Sequence, residues 1–172
     1  QLEATGRSIA SEEARLETVL EKQPQHLGAM MGLAALAERR EDAGTLLEWL
    51  ERAQDANPAS VQPGLAIALH HLKEGDVLQG LAVAVNLSGR FPDNPKVLEV
   101  LARTQLLAGE ETNAIRTLEQ LSNQNPENHM ILYLVGSAKM KSGDLVGARP
   151  AFRDAVDLKP ECIEARYHLA IA

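Results

Sequence analysis

The sequence predicts an all-α fold, a solenoid of antiparallel helix pairs, on three observations. Prolines stand at Pro24, Pro58, Pro92, Pro126 and Pro160, each 34 residues from the last. Self-similarity at that period is the signature of a helical repeat. A second marker keeps the same period: Asp42, Asp76, Glu110 and Asp144, with Ser8 one period earlier. Between the markers, apolar residues recur at i, i+3 and i+4, as in Val97, Leu98, Leu101, Ala102 and Leu106, and in Ala114, Ile115, Leu118 and Leu121. That is the spacing of one buried helix face.

Ten helices follow in order. The first, 8–23, opens at Ser8 and runs to Pro24, with Leu16, Val19 and Leu20 along one face. The pair 28–40 and 42–56 divides at Asp42, an oxygen-bearing cap, and closes at Pro58. In the pair 61–74 and 76–90, Ser60 can cap and Pro63 sits in a tolerant first turn. Gly75-Asp76 divides that pair, glycine supplying the left-handed residue that ends a helix. The pair 95–108 and 110–124 starts at Asn94-Pro95, a cap followed by proline at the first helical position. It divides at Gly109-Glu110. The pair 129–142 and 144–158 opens at Asn128 and divides at Gly143-Asp144; Pro150 should bend its second helix near Arg149. The last helix, 162–171, fills the first place of a further pair.

Composition narrows the function. Aromatics are only 3% of the 172 residues, which argues against β-sandwiches and barrels and against base-stacking nucleic-acid modules. A net charge of −7 and pI ≈ 5.2 argue against binding a phosphate backbone. No stretch approaches the ~20 apolar residues of a membrane span. The single cysteine, Cys162, allows no disulfide within the chain. The chain starts at Gln1 and reads as a section of a longer array, with any targeting segment lying before it.

These residues resemble the tetratricopeptide repeat family over nearly the whole chain. With each proline at position 32, the full repeats are 27–60, 61–94, 95–128 and 129–162, flanked by partial repeats 1–26 and 163–172 in one array, 1–172. The small position 8, where paired helices cross, holds Ala34, Ala68, Ala102 and Gly136; position 24 holds Leu50, Ala84, Leu118 and Phe152. The usual Trp at position 4 and Tyr at position 11 are absent. The resemblance implies a right-handed superhelical solenoid that binds protein or peptide. More loosely, 91–99 and 101–110 resemble the bacterial repeat lipoproteins of exosortase/PEP-CTERM systems, tied to exopolysaccharide export and protein sorting. That likeness implies a periplasmic or envelope setting, and nothing in the composition excludes the cytoplasm.

By the same resemblance, the first helix of each repeat lines a concave groove. The residues it assigns there are Met31, Leu65, Leu69, Leu72, Glu99, Arg103, Leu106, Tyr133, Ser137, Met140 and Tyr167. They make an apolar trough with Glu99 and Arg103 as a polar pair inside it. Leu72, Leu106 and Met140 stand one period apart. The alternative is that these residues pack on one another across the groove, leaving a structural spacer without a ligand. The family's carboxylate clamp asks for Lys at position 5 and Asn at position 9. Repeat 27–60 has Met31 and Ala35 there, and repeat 61–94 has Leu65 and Leu69, so the clamp is not expected. An amphipathic helix or apolar extended peptide suits the trough better.

No chemistry-bearing motif stands out: no phosphate-cradling glycine loop, nucleophile elbow, HExxH or CxxC. His26, His70, His71, His129 and His168 read as surface or seam residues. Cys162 near His168 lacks a third group to orient a base. The expected protein is a non-enzymatic scaffold without cofactor or metal. Its raw apolar ends, Leu16, Val19 and Leu20 at one and Ile163, Leu169 and Ala170 at the other, are expected to self-associate.

Overall fold

The structure, a computed structural model, describes residues 2–172, with side chains from Ile9 onward. These residues form ten helices and no strand: α1 (Leu2–Lys22), α2 (Leu27–Arg39), α3 (Ala43–Ala56), α4 (Gln62–Glu74), α5 (Val77–Arg90), α6 (Pro95–Ala108), α7 (Glu111–Gln124), α8 (His129–Lys141), α9 (Leu145–Leu158) and α10 (Ile163–Ile171). Nine lie within one residue of the predicted bounds. The exception, α1, begins at Leu2 instead of residue 8, so Ser8 lies inside it and opens no helix; its side chain is outside the described residues. The chain stays helical through Pro150, which is exposed on α9.

The 34-residue markers now have a geometry. The N–H groups of Asp42, Asp76, Glu110 and Asp144 each reach back five residues, to the carbonyls of Ala37, His71, Gln105 and Lys139, at 2.8–3.0 Å. This closed loop satisfies carbonyls that a helix end would otherwise orphan. The residue before each marker is left-handed: Gly75 (φ 86°), Gly109 (φ 77°) and Gly143 (φ 88°). The first such loop has Glu41 at φ 58° instead, at a steric cost of about 1–2 kcal/mol. The second helices stop for another reason. Asn57, Phe91, Asn125 and Lys159, each before a proline, have φ between −133° and −142°. The proline ring clashes with a helical residue before it, so the helix ends one residue earlier than proline's missing N–H would require.

Capping is less uniform than the periodicity. Asp42 accepts from the Thr45 N–H (3.0 Å) and hydroxyl (2.8 Å), and Asp144 from the Gly147 N–H (2.8 Å). Asn94 and Asn128 cap α6 and α8, and the Ser60 hydroxyl accepts from the Gln62 N–H. Asp76 and Glu110 make no side-chain cap bond. Glu110 instead accepts from the Asn113 amide at 3.0 Å. Helix α2 is capped by His26, whose Nδ1 accepts the Ala29 N–H at 3.0 Å. Replacing Asp144 by Ala should therefore cost about 0.5–2 kcal/mol. Asp76→Ala, at the same repeat position, should stay within about 0.5 kcal/mol. Parallel denaturation curves check the contrast, and equal losses would contradict it.

The chain divides into two compact units, Gln1–His70 and His71–Ala172, the division falling within α4. In the first unit, Leu20, Ala29, Met30, Leu33, Leu36 and Ala53 form a buried cluster joined by Leu16, Val19, Met31 and Trp49. The N-terminal face expected to be bare is thus covered: Leu20 is buried and Leu16 and Val19 half-buried against α2. Arg40 closes the same helix pair through a two-pronged bond to Glu13, one prong 2.9 Å. That hydrogen bond, aided by the guanidinium charge, holds the Glu13 carboxyl below its usual range.

In the second unit, the core runs from Val97, Leu98, Leu101 and Ala102 through Leu118 and Leu121 to Ile131, Val135 and Phe152, then to Ala155, Cys162 and Ala165. Gln105, where the family pattern has Tyr, is buried, and its Oε1 accepts the Thr117 hydroxyl at 2.9 Å, joining α6 to α7. An unpaired amide there would cost about 1–3 kcal/mol. At the next crossing Gly136 lies against Phe152: a Cβ on the glycine would stand 2.7 Å from the ring.

Candidate functional site

The predicted site residues fall in both units. In the first, Met31 is half-buried against the Leu20–Met30 cluster, Leu65 is half-buried, and Leu69 is 43% exposed. The others belong to the second unit. Leu72 is half-buried there. Leu106 leans on the Ala102, Leu118, Val135 and Ala138 cluster, and Met140 is half-buried. The stripe expected to floor the trough, Leu72, Leu106 and Met140, is therefore half-buried, with Leu106 packed on the core.

The exposed apolar surface of these first helices comes from neighbouring positions. Leu107 on α6 is 57% exposed, Met130 on α8 48%, and Tyr167 and Ile171 on α10 61% and 55%. Two contacts hold the three helices together. Lys141 at the end of α8 donates to the Leu106 carbonyl at 2.9 Å, and the Tyr133 ring on α8 lies 5.6 Å from His168 on α10.

The charged residues do not pair as expected. Glu99 and Arg103 are both exposed one helical turn apart, and no ion pair joins them among the described residues. The lysines nearby are engaged: Lys139 with Glu119 at 2.8 Å and Lys141 with Glu111 at 3.2 Å. Glu111 is held below its usual range by its own backbone N–H first and Lys141 second. Among the described residues, the exposed Arg103 guanidinium thus has no carboxylate partner. Ser137 is half-buried, and among the described residues its hydroxyl oxygen has no hydrogen-bond partner.

An aromatic cluster behind this face went unread in the sequence. Phe152 stacks on His168 (5.4 Å, 17°), Tyr133 lies 5.9 Å from Phe152, and Tyr167 meets His168 edge-on. A signal for it was present: glycine replaces alanine at position 8 only where phenylalanine replaces Leu or Ala at position 24. The cluster also explains His168, whose ring is packed among aromatics. Cys162 is buried, with its sulfur 3.6 Å from Glu164. Among the described residues no three His, Cys, Asp or Glu side chains gather as a metal site, and no helix is long and apolar enough to cross a membrane.

Comparison with known proteins agrees with this architecture. The chain has no match among curated proteins. Among solved structures, MamA residues 41 to the end from Desulfovibrio magneticus RS-1 superposes with a TM-score of 0.76 at 20% identity, covering 84% of this chain and 82% of that one. YrrB, titled a TPR protein with an unusual peptide-binding site, gives 0.76 at 14% identity, covering 96% and 86%. A tetratricopeptide repeat protein from Parabacteroides merdae ATCC 43184 gives 0.75 at 19% identity, covering 84% of this chain and 58% of that one. A family model described as tetratricopeptide repeat matches residues 12–61 and 112–162, more than half of the sequence, and the chain belongs to that family.

Proposed function

We propose that this chain is a section of a protein-interaction scaffold. On this reading, the face formed by α6, α8 and α10 in the second unit binds an apolar segment carrying a carboxylate. Tetratricopeptide repeats typically mediate protein–protein contacts. The observation that carries the finer reading is Arg103, exposed and, among the described residues, without a carboxylate partner, on the same helix as the exposed Leu107. Exposed apolar side chains that cluster mark an interaction site, and an unpaired guanidinium selects an anion within it. The peptide-binding site in YrrB's title supports the same mode of use. By the looser resemblance of 91–110, the partner belongs to an envelope assembly that exports exopolysaccharide or sorts proteins.

The spacer reading draws on the half-burial of Leu106 and Met140 and predicts that no peptide is retained. Selection of short displayed peptides on the immobilised chain separates the two. The expected binders are apolar with one or two acidic residues. Arg103→Glu and Tyr167→Asp should each weaken binding about tenfold, roughly 1.4 kcal/mol. Binders that survive both substitutions, or no binders at all, would overturn the proposal.

A further inference from the structure

The exposed face of α5 differs from that of every other second helix. Leu78 (77% exposed), Ala82, Val85 (51% exposed) and Gly89 form one line along it. Their steps of four, three and four residues are those of a coiled-coil seam. One period earlier the same positions are Gly44, Glu48, Glu51 and Asp55; later they are Thr112, Arg116, Glu119 and Asn123, then Val146, Pro150, Arg153 and Asp157. Each of those lines carries at least two charges, and the α5 line carries none.

We propose that this face pairs with the same face of a second copy of the chain, the two α5 helices lying antiparallel about a two-fold axis. The line is self-complementary in that arrangement. With the axis between Ala82 and Val85, each Val85 faces the other copy's Ala82, and each Leu78 faces the other copy's Gly89. A large side chain meets a small one at all four contacts, as an isologous interface demands. The notch at Gly89 is open: a Cβ there would meet nothing within 4 Å. Gln79 and Asn86 flank the seam on one side with neutral amides able to hydrogen-bond across the axis.

Charge selects the occupant. A chain of net charge −7 repels its own copies. Along this uncharged line no carboxylate of one copy is brought against a carboxylate of the other. The area sets the strength. A helix of 14 residues is about 21 Å long, so the contact falls short of the roughly 800 Å² per partner of a standard interface. The dimer is therefore weak, with a dissociation constant on the order of 100 µM.

Sedimentation equilibrium over concentrations bracketing that value tests the proposal. The chain should pass from monomer to dimer. Val85→Glu should raise the dissociation constant at least tenfold, and Arg116→Glu on α7 should not. Gly89→Leu fills the notch while replacing a helix-weakening glycine, so the variant stays folded; it too should raise the constant at least tenfold. A chain monomeric at every concentration, or one whose dimer survives Gly89→Leu, would overturn the two-fold pairing.

Discussion

Replacing Phe152 by Ala should lower the stability of the chain by about 3–5 kcal/mol, the range for removing a buried aromatic ring. The ring is wholly buried, the largest side chain to be so among the described residues. It fills the space left by the missing side chain of Gly136 and carries the stacked His168. Removing it opens a cavity between α8 and α9 and takes away the surface on which α10 rests. A loss of that size is a large part of the 5–15 kcal/mol typical of a folded domain. Chemical denaturation followed by circular dichroism measures it. Phe152→Leu should cost less, because it keeps most of the volume. A loss for Phe152→Ala below about 1 kcal/mol would show that the ring is not central to this packing.

The second large effect is expected from the glycine opposite. A side chain at position 136 would bring its Cβ to 2.7 Å from two carbons of the Phe152 ring and 3.0 Å from a third. The ring is wholly buried and stacked on His168, so it has little room to retreat. Gly136→Val should therefore destabilise by about 1–3 kcal/mol through overpacking, despite glycine's own poor helix propensity. The double variant Gly136→Val with Phe152→Ala should lose less than the sum of the two, because the valine occupies part of the hole left by the ring. Simple additivity in a denaturation series would mean that the two residues do not share one packing problem.

Much of the fold was legible because its devices are local. Proline at position 32 and an acidic or asparagine cap act within a few residues, so their spacing reports helix ends directly. What escaped was equally physical. Glu41 takes the left-handed conformation that glycine takes elsewhere, because the closed hydrogen-bonded loop around it enforces that conformation; no residue preference announces it. His26 caps α2 although histidine is seldom read as a cap. Asp76 stands in the capping register yet makes no cap bond, so periodicity marks the place and not the interaction.

The candidate site was legible in outline only. Helical periodicity told which side chains share a face, but not how deeply each sits between neighbouring helices. Leu106 packs on the core and Met140 is half-buried, whereas Leu107 and Met130, on the same helices, are exposed. Glu99 and Arg103 have the spacing of an ion pair and do not form one, since a solvated pair on one helix gains only a few tenths of a kcal/mol.

Within the second unit each helix packs chiefly on the next in the chain, α5 on α6 and so on to α9 on α10. Contacts of this kind span short stretches of sequence, which makes for quick folding. They also fix how the unit would answer a pull. Tension between residues 77 and 171 is carried by these interfaces in series, with no long-range clasp to break first. The weakest interface sets the first yield point, and each later one bears the same load. A force–extension record should then show a staircase of short steps, each releasing one or two helices, in place of the single abrupt rip of a fold tied end to end.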